Sequence, residues 1–299
     1  VAGAQRIYKQ KIRATKTLEK VFRAMELIAA SRIGKARDRA LGQDPYTQAL
    51  TKSIATVAIH AHADHPLVKE RTDTNKAIVF VVTSDRGMAG AYSSSVLREA
   101  ERLVNDLKEQ GKEPVLYVSG RRGASYFRFR DIPVVRAWTG ESDKPSDETS
   151  SEIAEEFLTR FLADAEDGGV AELYMIFTKF VSMVTQNVEV RRMLPLQVVD
   201  GEAEADTSVE DEPLYEYEPS AQKVFDELLP MYVGQRIHSV MLMSAASELA
   251  ARQQAMHSAT ENAGDLIDRY TRLANNARQA EITTEITEII SGADSLGKS

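Results

Sequence analysis

Residues Met231 to Ser291 read MYVGQRIHSVMLMSAASELAARQQAMHSATENAGDLIDRYTRLANNARQAEITTEITEIIS, about sixty positions without a proline. The stretch predicts one helix, and at about 1.5 Å per residue it is a rod of roughly 90 Å, too long for the core of a small domain. The seven-residue series Leu242, Leu249, Met256, Ala263, Tyr270, Ala277 is apolar throughout. Its partner series Ala245, Arg252, Ala259, Leu266, Leu273, Ala280 is apolar except at Arg252, and the two together read as a coiled-coil seam. Ten alanines between Ala245 and Ala280 make that seam thin and leave room for a close partner helix.

A partner stands at the other end of the chain. From Ala4 to about His60, Ile7, Ala14, Val21 and Ile28 recur seven apart with Leu18 and Met25 interleaved, predicting a second seam. Leu41-Gly42-Gln43-Asp44-Pro45 predicts a break within it. Between the two helical ends the period changes. Ala77 to Thr83 is a continuous apolar run of the kind a buried parallel strand shows, followed by a helix from about Ser93 to Gln110. Strands at Val115 to Ser119 and Val134 to Trp138 come next, separated by a short helix near Arg121 to Phe127. A helix from about Ser146 to Ala165 precedes strand-like Leu173 to Thr185 and Val188 to Val199, with Gln186-Asn187 expected to turn the hairpin. Ser220 is expected to cap a short helix to Leu229, with Pro230 kinking the entry to the rod.

The fold class that follows is mixed α+β and α/β: a long antiparallel two-helix coiled coil formed by both chain termini, with an inserted Rossmann-like α/β domain. The expected division is 1–60 plus 220–291 for the shaft, 76–199 for the globular domain and 200–219 for an acidic surface loop.

Composition narrows the function. The 299 residues carry a net charge of -8, yet residues 1–39 alone sum to +8 and residues 200–218 hold nine acids and no base. The basic end is compatible with nucleic acid, an anionic membrane surface, an acidic protein or a solvated helix face. No apolar run approaches the roughly twenty residues of a spanning helix, and no signal-peptide pattern opens the chain, so an intracellular or peripheral protein is expected. The absence of cysteine excludes disulfides and thiolate metal sites. His60, His62 and His65 crowd one helix end, but two-residue spacing points His60 and His62 in different directions, and no metal site is expected there. His238 and His257 are expected on the flank of the rod.

The loop after the first strand, Ser84 to Tyr92, is where an α/β sheet binds nucleotides. Neither phosphate-binding glycine motif is present, and Asp85 sets a negative charge where a phosphate would sit. No nucleophile with a base and no paired carboxylates emerge, so the chain is read as lacking a catalytic centre and a cofactor. The rod's tip is distinctive: Arg278, Gln279, Thr283, Glu285 and Glu288 share the last turns with Ile282, Ile286, Ile289 and Ile290. Acids near a helix C-terminus are mildly unfavourable, which leaves either a solvated tip or one that meets an external collar.

Three stretches resemble the gamma subunit of F-type ATP synthase, bacterial type, across essentially the whole length: Ala24 to Arg32, Thr83-Ser84-Asp85-Arg86-Gly87, and the C-terminal run through Ala259-Thr260-Glu261-Asn262-Ala263 and Ala277 to Ile289. The resemblance implies a rotary shaft inside a hexamer of alpha and beta subunits, its foot on the membrane c-ring beside epsilon. Proton-driven rotation would then be coupled to ATP synthesis or hydrolysis at beta-subunit sites. It implies a non-catalytic subunit, peripheral to the cell membrane on the cytoplasmic side, touching the membrane only through the complex and binding no nucleic acid. Matched by motif, Met25, Arg86, Met88, Ala89, Arg278, Gln279, Thr283, Glu285 and Glu288 correspond to positions meeting beta, and Tyr215 and Tyr217 to the foot near epsilon and the c-ring. Ala91 replaces a usual glycine, Ala89 stands where many members have cysteine, and Leu249 replaces a common polar residue. The competing readings are a nucleotide-binding α/β enzyme with a coiled-coil oligomerisation arm and a basic coiled-coil nucleic-acid binder, the latter lacking an aromatic stacking platform.

Overall fold

A computed structural model describes residues 2–42, 44–61, 66–196, 218 and 220–296. Tyr215, Tyr217, His62, His65 and all of the acidic segment except Glu218 lie outside the described residues, as does the side chain of His60. The chain divides into two compact units, Val1–Ala30 with Arg252–Ser299, and Ser31–Ala251.

The larger unit is built on a five-stranded sheet in the order β3-β2-β1-β4-β5, formed by β1 (Lys76–Val82), β2 (Glu113–Ser119), β3 (Arg136–Trp138), β4 (Glu172–Phe180) and β5 (Gln186–Leu194). The first four strands run parallel and β5 closes the edge antiparallel. Ala77 to Val82 are buried on both faces, which is why this strand is an unbroken apolar run. One face carries α3 (Tyr92–Glu109) and α4 (Arg121–Phe129), whose Val96, Ala100, Leu107 and Phe127 pack with Val79, Val81 and Val118. The other face carries α5 (Asp147–Leu162) and the early part of α6 (Ala221–Leu296). There Phe80, Tyr117, Trp138 and Phe157 form an aromatic cluster, with Phe157 edge-on to Tyr117 at 5.1 Å between centroids and to Phe80 at 5.2 Å. Leu229, Val233 and Ile237 of α6 join the same core.

The smaller unit pairs the first part of α1 (Ala2–Gly42) with the later part of α6. Tyr8 stacks on Tyr270 and Glu26 meets His257, so rising numbers on α1 match falling numbers on α6 and the helices run antiparallel. On α1 the seam follows a different register from the apolar heptad. On α1 the covered residues include Gln5, Tyr8, Ile12, Thr15, Glu19, Phe22, Glu26 and Ala29, while Ile7, Leu18, Val21, Leu27 and Ile28 are exposed. On α6 the series Met256, Ala263, Tyr270, Ala277 is covered as expected, and so are Ala245, Arg252, Ala259 and Leu273 of its partner series, while Leu266 and Ala280 are exposed; Thr260, Ile267, Ala274 and Glu281 are covered as well. The covered face of α1 mixes the aromatic Tyr8 and Phe22 with polar and small residues, and the Tyr8–Tyr270 stack fixes that face toward α6 while the aliphatic stripe lies on the other side.

Local expectations differ elsewhere too. The hairpin turns at Val181 to Thr185, not at Gln186-Asn187, because Ser182 Oγ accepts the amides of Val184 and Thr185 and satisfies the turn. Leu229 does not end a helix: α6 runs from Ala221 through Pro230 to Leu296, with Ser220 Oγ accepting the Lys223 amide at its start. His238 is not on a flank but is buried at 8% exposure between α5 and α6. The expected break falls on Gln43, which lies outside the described residues; α2 (Asp44–Ala61) follows it, with Pro45 in its first turn.

Candidate partner-binding surfaces

In the larger unit the loop after β1 is held by a dense set of hydrogen bonds. Thr83 Oγ1 donates to the Ser119 carbonyl at 2.9 Å and accepts the Gly123 amide at 3.0 Å, seating the start of α4 on the end of β1. A Cβ at Gly120 would lie 2.2 Å from the Thr83 carbonyl oxygen, and Gly120 has φ 97°, so both space and backbone demand glycine. Ser84 Oγ and Ser93 Oγ meet at 2.7 Å, tying the loop to α3.

Asp85 completes the frame. Its Oδ2 accepts the amides of Gly140 at 2.7 Å and Ser142 at 3.0 Å, and its Oδ1 accepts at 3.1 Å the amide of Arg121, the first residue of α4. Only 8% of the side chain is exposed. Helix-start and loop amides of this kind form the anion-binding feature of nucleotide folds. Here the chain's own carboxylate occupies them, which explains how a Rossmann-like loop does without a phosphate motif.

What this frame presents is the tip of the loop. Met88 has φ 61° and is 53% exposed, an unusual backbone for a side chain with a Cβ, and Arg86 nearby is exposed. Ala89 is buried, so the outward chemistry of the loop belongs to Arg86 and Met88. A cleft of about 610 Å³ adjoins it, lined by Arg32, Lys35 and Arg39 of α1 and by Arg86, Asp143 and Lys144. Arg32 is paired with Asp143 at 2.7 Å. Part of the basic N-terminal charge is therefore gathered on one wall.

In the smaller unit Met25 is half-buried at the seam, beside the His257–Glu26 contact at 2.9 Å. Arg278, Gln279, Thr283, Glu285 and Glu288 are all exposed, with the Thr283 hydroxyl satisfied by the Gln279 carbonyl of its own helix. By the register of the seam, the described start of α1 is level with about residue 276 to 281 of α6, so later residues extend past it. Ile282, Ile286, Ile289 and Ile290 are exposed there, Ile289 at 71%. Among the described residues the unit brings together neither Met25 and the tip residues nor any acid–base pair at the tip. The exposed Ile7, Leu18, Val21 and Ile28 stripe is the feature that sequence reasoning misplaced. Its signal was present as a heptad series, but the series marked an outer face.

No described helix is long and apolar enough to cross a membrane, and the described residues contain no cluster of acids and histidines able to hold a metal.

Comparison with known proteins agrees with this organisation. The family described as ATP synthase matches residues 4–296. An ATP synthase gamma chain of Beutenbergia cavernae is 57% identical over 299 residues, all of both chains, and that of Micrococcus luteus is 52% identical over 99% of this chain and all of its own. Among solved structures, a chain of the Euglena gracilis mitochondrial ATP synthase in its OSCP/F1/c-ring assembly aligns with TM-score 0.65 at 13% identity, covering 99% of this chain and 95% of its own. A chain of the Tetrahymena thermophila central stalk and c-ring aligns with TM-score 0.59 at 18% identity, covering 80% and 99%. At these identities the structural likeness establishes the fold.

Proposed function

The chain belongs to the gamma-chain family of ATP synthase, and from that premise we propose that it is the central rotor shaft of an F1Fo complex. In this reading it couples proton-driven rotation of a c-ring to ATP synthesis or hydrolysis at beta-subunit sites of an alpha3beta3 hexamer. The shaft, residues 1–60 with 220–291, turns within the hexamer; the α/β domain, 76–199, and the acidic segment, 200–219, are its remaining parts. Tyr215 and Tyr217 serve the foot near epsilon and the c-ring.

The observation that carries the reading is the uncovered aliphatic surface of the smaller unit. Ile7, Leu18, Val21 and Ile28 on α1 and Ile282, Ile286, Ile289 and Ile290 on α6 are exposed, and over most of their length the two helices already have each other as partners. Exposed apolar surface gathered in this way marks a protein contact, because leaving it in water is unfavourable at about 25 cal/mol per Å². The proposed contacts with beta are Met25 on α1, the loop residues Arg86 and Met88 with the buried Ala89 supporting them from beneath, and the tip residues Arg278, Gln279, Thr283, Glu285 and Glu288.

The chain acts without catalytic residues or a cofactor of its own. Its orientation selects among the conformers of each beta subunit by differential contact, which is how one asymmetric body drives identical subunits through different states. Within the complex it is peripheral to the cell membrane, on the cytoplasmic side. Mixing the full chain with alpha and beta subunits should yield an assembly whose ATPase activity exceeds that of alpha and beta alone, and a failure to co-assemble would overturn the reading. The nucleotide-enzyme alternative is disfavoured by the Asp85 carboxylate on the loop amides, and micromolar ATP binding by the isolated chain would restore it.

A further inference from the structure

Ser150 of α5 has one hydroxyl hydrogen and two strong acceptors for it. The Ser146 carbonyl lies at 2.9 Å and His238 Nδ1 of α6 at 2.8 Å, while Met241 Sδ at 3.6 Å is a weaker third. On the other side of the ring, His238 Nε2 is 3.1 Å from Asp147 Oδ1. An ionised carboxylate only accepts, so Nε2 carries a hydrogen whether the ring is neutral or charged. In the neutral ring Nδ1 is then a bare lone pair and takes the Ser150 hydrogen. In the charged ring Nδ1–H donates to Ser150 Oγ, and the hydroxyl hydrogen turns to the Ser146 carbonyl.

We propose that His238, Ser150 and Asp147 form a proton-operated latch between α5 and α6, in which protonation of the ring switches the Ser150 hydroxyl from His238 to the residue that starts α5. The three side chains resemble a nucleophile, base and acid, but Ser150 is buried in the first turn of α5 and Asp147 is 90% exposed, so the arrangement is a switch and not a catalytic centre. Ser146 is the N-cap of α5, and its amide and hydroxyl both donate to Glu141 Oε2, at 3.0 and 2.7 Å. The switched carbonyl therefore belongs to the residue through which α5 is fastened to the preceding loop.

The charged groups around the ring oppose one another. Asp147 and Glu148 of α5 favour the imidazolium, while Arg39 of α1 and Lys144 of the preceding loop disfavour it, and all four line the same cleft as His238. Glu155 of α5 and Tyr46 of α2 line the groove on the other side. Burial, the larger influence, holds the ring's pKa below its ordinary value, with Asp147 acting against it.

The test is nitrogen NMR of the full chain carrying 15N-labelled histidine, with His238→Gln identifying the signal. The neutral ring should be the Nε2–H tautomer, and the Ser146 carbonyl carbon should move downfield with the same midpoint as the ring. Asp147→Asn should lower that midpoint by about half a pH unit, the scale of an exposed ion pair. Ser150→Ala should leave the ring titrating and abolish the carbonyl response. A neutral Nδ1–H tautomer, a midpoint indifferent to Asp147→Asn, or a carbonyl response that survives Ser150→Ala would each overturn the latch.

Discussion

The Asp85 carboxylate accepts the Gly140 amide hydrogen at 2.7 Å, joining the end of β1 to the loop after β3. Two more amides, of Ser142 and Arg121, converge on the same buried group. Asp85→Ala leaves three donors without their acceptor and should cost about 2–3 kcal/mol. Urea unfolding of the full chain measures it, and an unchanged midpoint would show that water replaces the carboxylate without loss.

Gly120 and Gly87 provide a matched pair of tests. A Cβ at Gly120 meets the Thr83 backbone at 2.2 Å, whereas one at Gly87 meets nothing within 4 Å. Gly120→Ala should destabilise by about 3 kcal/mol or more, since the obstruction is backbone and the φ is positive. Gly87→Ala should stay within about 0.5 kcal/mol. Equal effects at the two sites would contradict the close seating of α4 on β1.

Acidification should weaken the larger unit through His238. Its folded pKa lies below the ordinary value of 6.5 because of burial, so the unfolded chain takes up the proton first as the pH falls. The contribution is complete above about pH 6.5 and is lost below it, with a slope of at most about 1.4 kcal/mol per pH unit, until the folded ring is itself protonated. Comparing wild type with His238→Gln between about pH 7.5 and 5.5 isolates this share, and parallel stability curves would rule it out.

The two faces of the smaller unit should respond oppositely to substitution. Ala263 and Ala274 are buried in the α1–α6 seam, and Ala263→Leu or Ala274→Leu should cost about 1–3 kcal/mol by overpacking. Leu18→Ser with Val21→Ser alters exposed positions and should change the chain's own unfolding by no more than about 0.5 kcal/mol per site. The same pair should weaken co-assembly with alpha and beta subunits, measured by gel filtration. Full-strength assembly by the double variant would remove the aliphatic stripe from the proposed interface.

Much of the architecture was legible from residue order. The unbroken run Ala77 to Val82 announced a buried parallel strand, and β1 is covered on both faces. Helical periodicity at both ends announced the antiparallel pair. The α6 side of the seam was legible but the α1 side was not, because Ile7, Val21 and Ile28 satisfy a heptad as well as Tyr8, Thr15 and Phe22 do, and hydrophobicity favours the former. The hairpin turn was missed for a similar reason: Gln186-Asn187 has turn chemistry, but Ser182, earlier in the chain, satisfies the amides of Val184 and Thr185 first.

The sequence by itself determined the kinds of element, their order and the family, since these rest on local periodicity and on motifs that need no contact to be read. Only the tertiary structure decided which face of α1 meets α6, which amides receive the Asp85 carboxylate, and that His238 is enclosed by α5. Those outcomes depend on how closely two backbones approach and on which hydrogen-bonding groups are then cut off from water, and neither quantity is a property of any single stretch of chain.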